Sequence, residues 1–512
     1  PAMNGLMFEQ IPVPQAELAA RALADFLALA LIAFGSLLAI RRAGGRSVLL
    51  GLLLVNVSLL AVSSMQVRQE TAAASELEEA SSPEARSLPR PLRFSKEQPN
   101  VLLIFLDRFM GGFVERILAE EPELSQRLQG FTWYPLTVAA GENSIAGLHP
   151  LLGGYDYIPR AMSARDLPLR DVSTEAYKIM PYNFTQRGYE ANVVNPRGLG
   201  FTLDGDCSFL EMDGVTCSHI SLEVTRRLAE EYGIPLEVLS DANYANFLAL
   251  LGLMRSTPYV IKEVMLQRGP WAPILGHSAG STFHQWAELK SLPDVTDTGA
   301  EKSQYNSVFN ILPHEPYFMS KDCRVVPEPE ALTVEELAFQ GYSSNFEWYH
   351  AVAARCTLLL VADYFDWMRA QGIYDNTKIV MASDHGIVGE SMTDRSSRAV
   401  AGGTTDSIFV RTRSVLFVKD REAREALAIS EEFLPNAEVP RILCEEIGGC
   451  VNPFLDDRPI EAFGRDDPFI ITFVPWQFNQ QDPTKFVIND EMMLIGKDPY
   501  RASNWRRVHR DR

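Results

Sequence analysis

The chain has 512 residues, of which 46% are apolar, and carries a formal net charge of −19 with a pI near 5.0. That length exceeds one ordinary core, so a large domain with smaller pieces is expected. The acidic balance argues against nucleic acid as a partner and against electrostatic attraction to anionic lipid, so any membrane contact must come from apolar segments.

Two such segments open the chain. Ala19 to Ile40 is an apolar run broken only by Arg21 and Asp25, and Val48 to Met65 contains no charge. Each approaches the roughly 20 residues that a helix needs to cross a bilayer. The intervening loop carries Arg41, Arg42 and Arg46, which places it on the cytoplasmic side. Residues 1–65 are therefore expected to form a membrane anchor of two transmembrane helices, with everything after Met65 in the periplasm or outside the cell. The chain begins at Pro1 rather than Met, which leaves room for further spans upstream. Residues 66–98, rich in Ala, Ser, Glu, Pro and Arg, read as a linker, and the compact domain is expected to begin near Pro99 and run to the end.

Within that domain, Asn100 to Leu106 is a continuous apolar strand ending at Asp107. The stretch Ser221 to Met265 is helix-rich and without strand signals, which predicts a helical insertion near 221–300. Ser307 to Leu312 reads as another strand, running into Pro313-His314-Glu315-Pro316-Tyr317. Phe346 to Gln371 has helical periodicity. Lys378 to Ala382 is a strand ending in Ser383-Asp384-His385-Gly386, and Val415 to Val418 is a fourth strand. Strands alternating with helices predict an α/β fold with a mostly parallel central sheet flanked by helices, whose sites lie beyond the strands' C-terminal ends.

Six cysteines include two close pairs, Cys207 with Cys217 and Cys444 with Cys450, and no C-x-x-C. With the domain outside the membrane, these pairs are expected to be disulfides.

Asp107, Asp384 and His385 carry the chemistry. Two carboxylates and an imidazole at strand ends suit a divalent cation such as zinc or manganese. The order LIFLD, a hydroxyl-bearing loop running into LLGGY, then LPHEPY, then SDHG resembles the alkaline phosphatase superfamily, most of all its sulfatase-like membrane branch. That branch includes lipoteichoic acid synthases, phosphoglycerol transferases and phosphoethanolamine transferases. The resemblance covers roughly Pro99 to Lys419. It implies metal ligands at Asp107, Asp384 and His385, and a nucleophile in Gly141 to Pro150. Counted back from the Leu151-Leu152 string by the family's spacing, the nucleophile is Ser144, which also serves as a metal ligand; Thr137 is the alternative. The string from Ser144 lacks the Pro and Arg that direct formylglycine formation, so a true sulfatase is not expected.

By the same resemblance His314 is a substrate-binding histidine. Asn143, Tyr155 and Arg413 are taken as further candidate substrate-binding residues without support from a family motif. Phosphoethanolamine transferases carry another His shortly after Asp-His-Gly. None lies between Gly386 and Arg413, where the polar candidates are Glu390, Thr404, Thr405, Asp406 and Arg413. His149, His219, His277, His284 and His350 have no motif context and are treated as structural. The implied reaction is transfer of a phosphoglycerol or phosphoethanolamine headgroup from a phospholipid donor, through phospho-Ser144, to an envelope glycan or lipid acceptor at the inner membrane. The alternatives are a phosphodiester or sulfate ester hydrolase, and a metal-free, non-catalytic envelope assembly partner.

Overall fold

The computed structural model describes residues 89–199, 207–234, 279–386, 411–462, 468–474, 482–496 and 498–508, with six helical positions between 27 and 42. The chain divides into two compact units. The first comprises Pro1–Leu6, Leu88–Asp241 and His277–Arg512; the second comprises Met7–Ser87 and Ala242–Gly276. Most of the expected membrane anchor, most of the linker, the middle of the helical insertion, and Glu390, Thr404, Thr405 and Asp406 lie outside the described residues. Among the described residues, no helix is long and apolar enough to cross a membrane.

The first unit is built on an eight-stranded sheet: β1 Asn100–Leu106, β2 Phe131–Trp133, β3 Glu190–Val194, β4 Val215–Ser218, β5 Gln304–Asn310, β6 Thr377–Ala382, β7 Leu416–Lys419 and β8 Ala428–Ile429. Their order across the sheet is β8-β2-β7-β6-β1-β5-β3-β4. The run β6-β1-β5-β3-β4 is parallel, and β7 is antiparallel to both of its neighbours. Strand β1 is continuously apolar because both of its faces are covered. Leu102, Ile104 and Leu106 pack into one core with helices α3 (Ala279–Lys290) and α4 (Asn345–Gln371); Val101, Leu103 and Phe105 pack into the other with α1 (Ser144–Gly153) and α2 (Leu169–Gln186).

Two expectations shift. The domain begins before Pro99, because Leu92–Arg93 pairs with Thr296–Asp297 and Phe94 is fully buried. Strand β5 starts at Gln304 and ends at Asn310, earlier than its apolar residues suggest. Its buried amides are satisfied sideways: Asn192 donates from Nδ2 to Gln304 Oε1 (3.1 Å) and Asn306 Oδ1 (3.2 Å). Paired polar groups sit in a sheet interior at little cost, and an apolar pattern does not reveal them.

Cys207–Cys217 and Cys444–Cys450 are disulfides, as expected, and Cys323–Cys356 is a third. The third closes a 33-residue separation and ties the loop after His314 to α4. By loop-closure entropy, replacing both Cys323 and Cys356 with Ser removes up to about 3–4 kcal/mol. A thermal melt is expected to shift downward by many degrees, and an unchanged melting temperature would contradict this.

Candidate metal centre

Strands β1 and β6 are parallel neighbours in a register that pairs Phe105 with Ala382. Their C-terminal ends therefore deliver Asp107 and Asp384 side by side. The N-terminus of α1 arrives from the other direction with Ser144. Asn143, not Ser144, caps this helix: its Oδ1 accepts from Ala146 N–H (3.2 Å), while its Nδ2 donates to the Val474 carbonyl (2.7 Å). The serine hydroxyl is thus left for the site.

Ser144 Oγ lies 3.4 Å from Asp107 Oδ1 and 3.2 Å from His385 Nε2. His385 Nε2 lies 3.8 Å from Asp107 Oδ1 and 3.6 Å from Asp384 Oδ2. Donor atoms around one tetrahedral ion with bonds of about 2.0–2.2 Å stand about 3.3–3.6 Å apart, so these separations suit a shared cation. Two further observations test the fit. Asp384 Oδ2 is buried and meets no hydrogen-bond geometry among the described residues, whereas Oδ1 accepts from the backbone N–H groups of Arg108 (3.1 Å) and His385 (3.0 Å). His385 Nδ1 donates to the Gly386 carbonyl (2.6 Å), which leaves the Nε2 lone pair facing the three oxygens. The oxygen and nitrogen set is one that zinc or manganese accepts.

The electrostatics agree. Burial, then the Asp384 charge, raises the Asp107 pKa. Burial lifts Asp384 to about 6 against the lowering effect of its backbone N–H donors, and burial lowers His385 to about 4. In the metal-free protein a carboxyl with a raised folded pKa contributes stability below its ordinary value of 3.8 and loses it as pH rises through about 6. A cation needs the ionised form. Affinity for manganese or zinc is therefore expected to fall by up to about tenfold per pH unit below pH 6. Metal titration across that range measures this, and a flat profile would contradict it.

Several residues without a sequence assignment hold the cluster. Arg108 adopts φ 60°, which turns its N–H toward Asp384, and its buried guanidinium pairs with Glu315. His350 Nε2 donates to the Arg108 carbonyl (2.9 Å). Ser383 Oγ donates to the Phe109 carbonyl (2.7 Å) and accepts from Val415 N–H (2.8 Å). Asn436, fully buried, donates from Nδ2 to the carbonyls of Gly147 (3.0 Å) and Asp384 (3.2 Å), joining α1 to the β6 loop.

His314 lies within reach of the charges of Asp107 and His385; burial lowers its pKa, while the Asp107 charge opposes that shift. Its Nδ1 donates to the Glu315 carbonyl (2.7 Å), leaving Nε2 as a proton acceptor. Arg197, in the loop after β3, also bears on Asp107 and His314. The only sequence signal for Arg197 is its position past a strand end.

The expected pocket-lining residues have other contacts. Asn143 uses both ends of its amide in the cap and the Val474 contact. Tyr155 donates to Glu438 Oε1 (2.8 Å) and meets Phe469 edge-on. Arg413 is buried with its guanidinium 5.1 Å from the Tyr500 ring centroid. Thr137 donates to the Tyr134 carbonyl (2.9 Å). His149 is held by the Ile145 carbonyl (2.8 Å) and Ser173 Oγ (2.7 Å). Cys207, Cys217 and His219 also cluster, but the two sulfurs are joined to each other and offer no thiolate.

No protein-family description matches the chain, and no curated protein sequence matches it. It is similar to solved structures at low identity. One is a protein in the alkaline phosphatase superfamily from Vibrio parahaemolyticus, at 13% identity and TM-score 0.39, covering 84% of this chain and 87% of that one. A second is the lipoteichoic acid synthase LtaP from Listeria monocytogenes, at 9% identity and TM-score 0.39, covering 82% and 86%. A third is the phosphonate monoester hydrolase of Agrobacterium radiobacter, at 14% identity and TM-score 0.40, covering 80% and 88%.

Proposed function

We propose that this chain is a metal-dependent phosphotransferase of the alkaline phosphatase superfamily. In this reading it moves a phosphoglycerol or phosphoethanolamine headgroup from a phospholipid to a cell-envelope glycan or lipid through phospho-Ser144. One observation carries the reading: the Ser144 hydroxyl stands at a helix N-terminus, 3.4 Å from a buried carboxylate and 3.2 Å from a buried imidazole whose lone pair faces it.

Asp107, Asp384, His385 and Ser144 would hold the zinc or manganese ion, which when bound supplies positive charge that favours the alkoxide of Ser144 and the phosphoryl oxygens. Ser144 Oγ bonds to phosphorus as the bond to the lipid alcohol breaks, and that alcohol leaves with a proton. The acceptor hydroxyl then bonds to the same phosphorus, the bond to Oγ breaks, and the serine recovers its proton. His314 Nε2 is a proton carrier for these steps. The N-terminus of α1 favours the phosphate's negative charge, and Arg197 adds a fixed positive charge near Asp107. Three disulfides suit an oxidising compartment, and the two apolar runs before Met65 would hold the enzyme against its lipid donor.

The test is to incubate the full chain with phosphatidylglycerol or phosphatidylethanolamine and manganese or zinc, then map its peptides by mass spectrometry. A headgroup phosphate on Ser144, discharged by a glycan or lipid acceptor, is the expected result. Release to water alone would make the protein a hydrolase, and no modification in any arm would favour a non-catalytic role.

A further inference from the structure

Tyr317 follows His314 by three residues, and its ring is held on two sides. His350 stacks on it at 5.3 Å and 15°, and Phe346 meets it edge-on at 5.4 Å. His350 is in turn fixed to the backbone beside Asp107 through the Arg108 carbonyl. Tyr317 is only 7% exposed, yet its hydroxyl has no hydrogen-bond partner among the described residues. Leaving a buried hydroxyl unpaired is unfavourable, and a phenylalanine would fill the same aromatic slot without that penalty. The hydroxyl is also close enough to the cluster for the charges of Arg108 and Asp107 to act on it. His314, with Nδ1 already committed to the Glu315 carbonyl, presents an acceptor at Nε2. The motif therefore has one neutral donor to offer a substrate oxygen, and it is Tyr317.

We propose that Tyr317 is a substrate-binding residue whose hydroxyl donates a hydrogen bond to an oxygen of the phosphate ester held at Ser144. This rests on the ester reading of the site given above. The phenol, kept protonated by burial, is a donor throughout the working pH range.

Tyr317→Phe removes the oxygen and keeps the ring between His350 and Phe346. On the full chain loaded with manganese, two quantities are measured: the dissociation constant of inorganic phosphate by calorimetry, and kcat and KM for bis(p-nitrophenyl) phosphate. The expected result is phosphate binding weakened about 10- to 150-fold and kcat/KM lowered to a similar degree, the size of one hydrogen bond to a charged group. Melting temperature and bound manganese should match the wild type. Unchanged phosphate affinity and kcat/KM in the variant would overturn the inference while leaving the site reading intact. A fall in melting temperature and manganese content in step with activity would overturn it too, because the role would then be structural. A wild-type protein that neither binds phosphate nor cleaves the diester would remove the ester reading itself, and the Tyr317 assignment with it.

Discussion

Ser144→Ala is expected to lower headgroup transfer by roughly a thousandfold or more and to abolish the covalent phosphoprotein altogether. The loss of the oxygen removes the only group in Gly141 to Pro150 able to form the ester. Residual turnover would come from direct attack on the bound substrate within a site whose charge arrangement is otherwise intact. Stability should change little. The helix is capped by Asn143, whose Oδ1 accepts from Ala146 N–H, not by the serine, so the cost is confined to the long Ser144–Asp107 hydrogen bond (3.4 Å). Metal affinity should fall but persist, since Asp107, Asp384 and His385 remain. Peptide mapping of the variant after incubation with donor lipid checks the covalent step, and a modified Thr137 would transfer the nucleophile's role there.

Gly147→Ala is the second large effect, and its sign depends on tertiary contacts. Inside a helix this exchange ordinarily stabilises by up to about 1 kcal/mol. Here an added Cβ would stand 2.1 Å from the Asp384 carbonyl oxygen and 2.8 Å from its carbon. Those atoms are backbone and cannot swing aside. Either α1 withdraws or the loop after β6 moves, and in both cases the Asn436 side chain loses its simultaneous hold on Gly147 and Asp384. We expect destabilisation of about 3–5 kcal/mol, in the range of severe overpacking, together with a loss of metal affinity of about 10- to 100-fold as Asp384 leaves its place. Thermal melts and metal titration measure both. A variant as stable as the wild type, with full metal affinity, would show that the contact between α1 and the metal loop is dispensable.

The legible parts of this protein share a physical cause. Strands β1 and β6 are covered on both faces, so Val101–Leu106 and Ile379–Ala382 are unbroken apolar runs, and the polar residues that follow each must be either at the surface or in a site. That is why Asp107, Asp384 and His385 could be picked from the linear chain. Helix α4 was legible from its periodicity, and the pairs Cys207–Cys217 and Cys444–Cys450 from their short spacing. Strand β5 was displaced because its buried polar residues are paired with partners over 110 positions away. Cys323–Cys356 has too wide a spacing to be paired by inspection. Asn143 is a pocket candidate in the sequence; only the contacts show its amide spent on the helix cap and the Val474 carbonyl.

By itself, then, the sequence determined the α/β class and singled out the strand-end cluster of Asp107, Asp384 and His385 and, through its resemblance to a known superfamily, the candidate serine beside it, because covered strands and strand-end polar groups leave a one-dimensional trace. The tertiary structure alone decided how those side chains are held. The Arg108 N–H on Asp384, the Asn436 clamp 289 residues from Gly147, the absent Cβ of Gly147 and the locked ring of Tyr317 are all contacts between distant segments. Each depends on two backbones or side chains arriving at the same point, and no local pattern of residue types records that arrival.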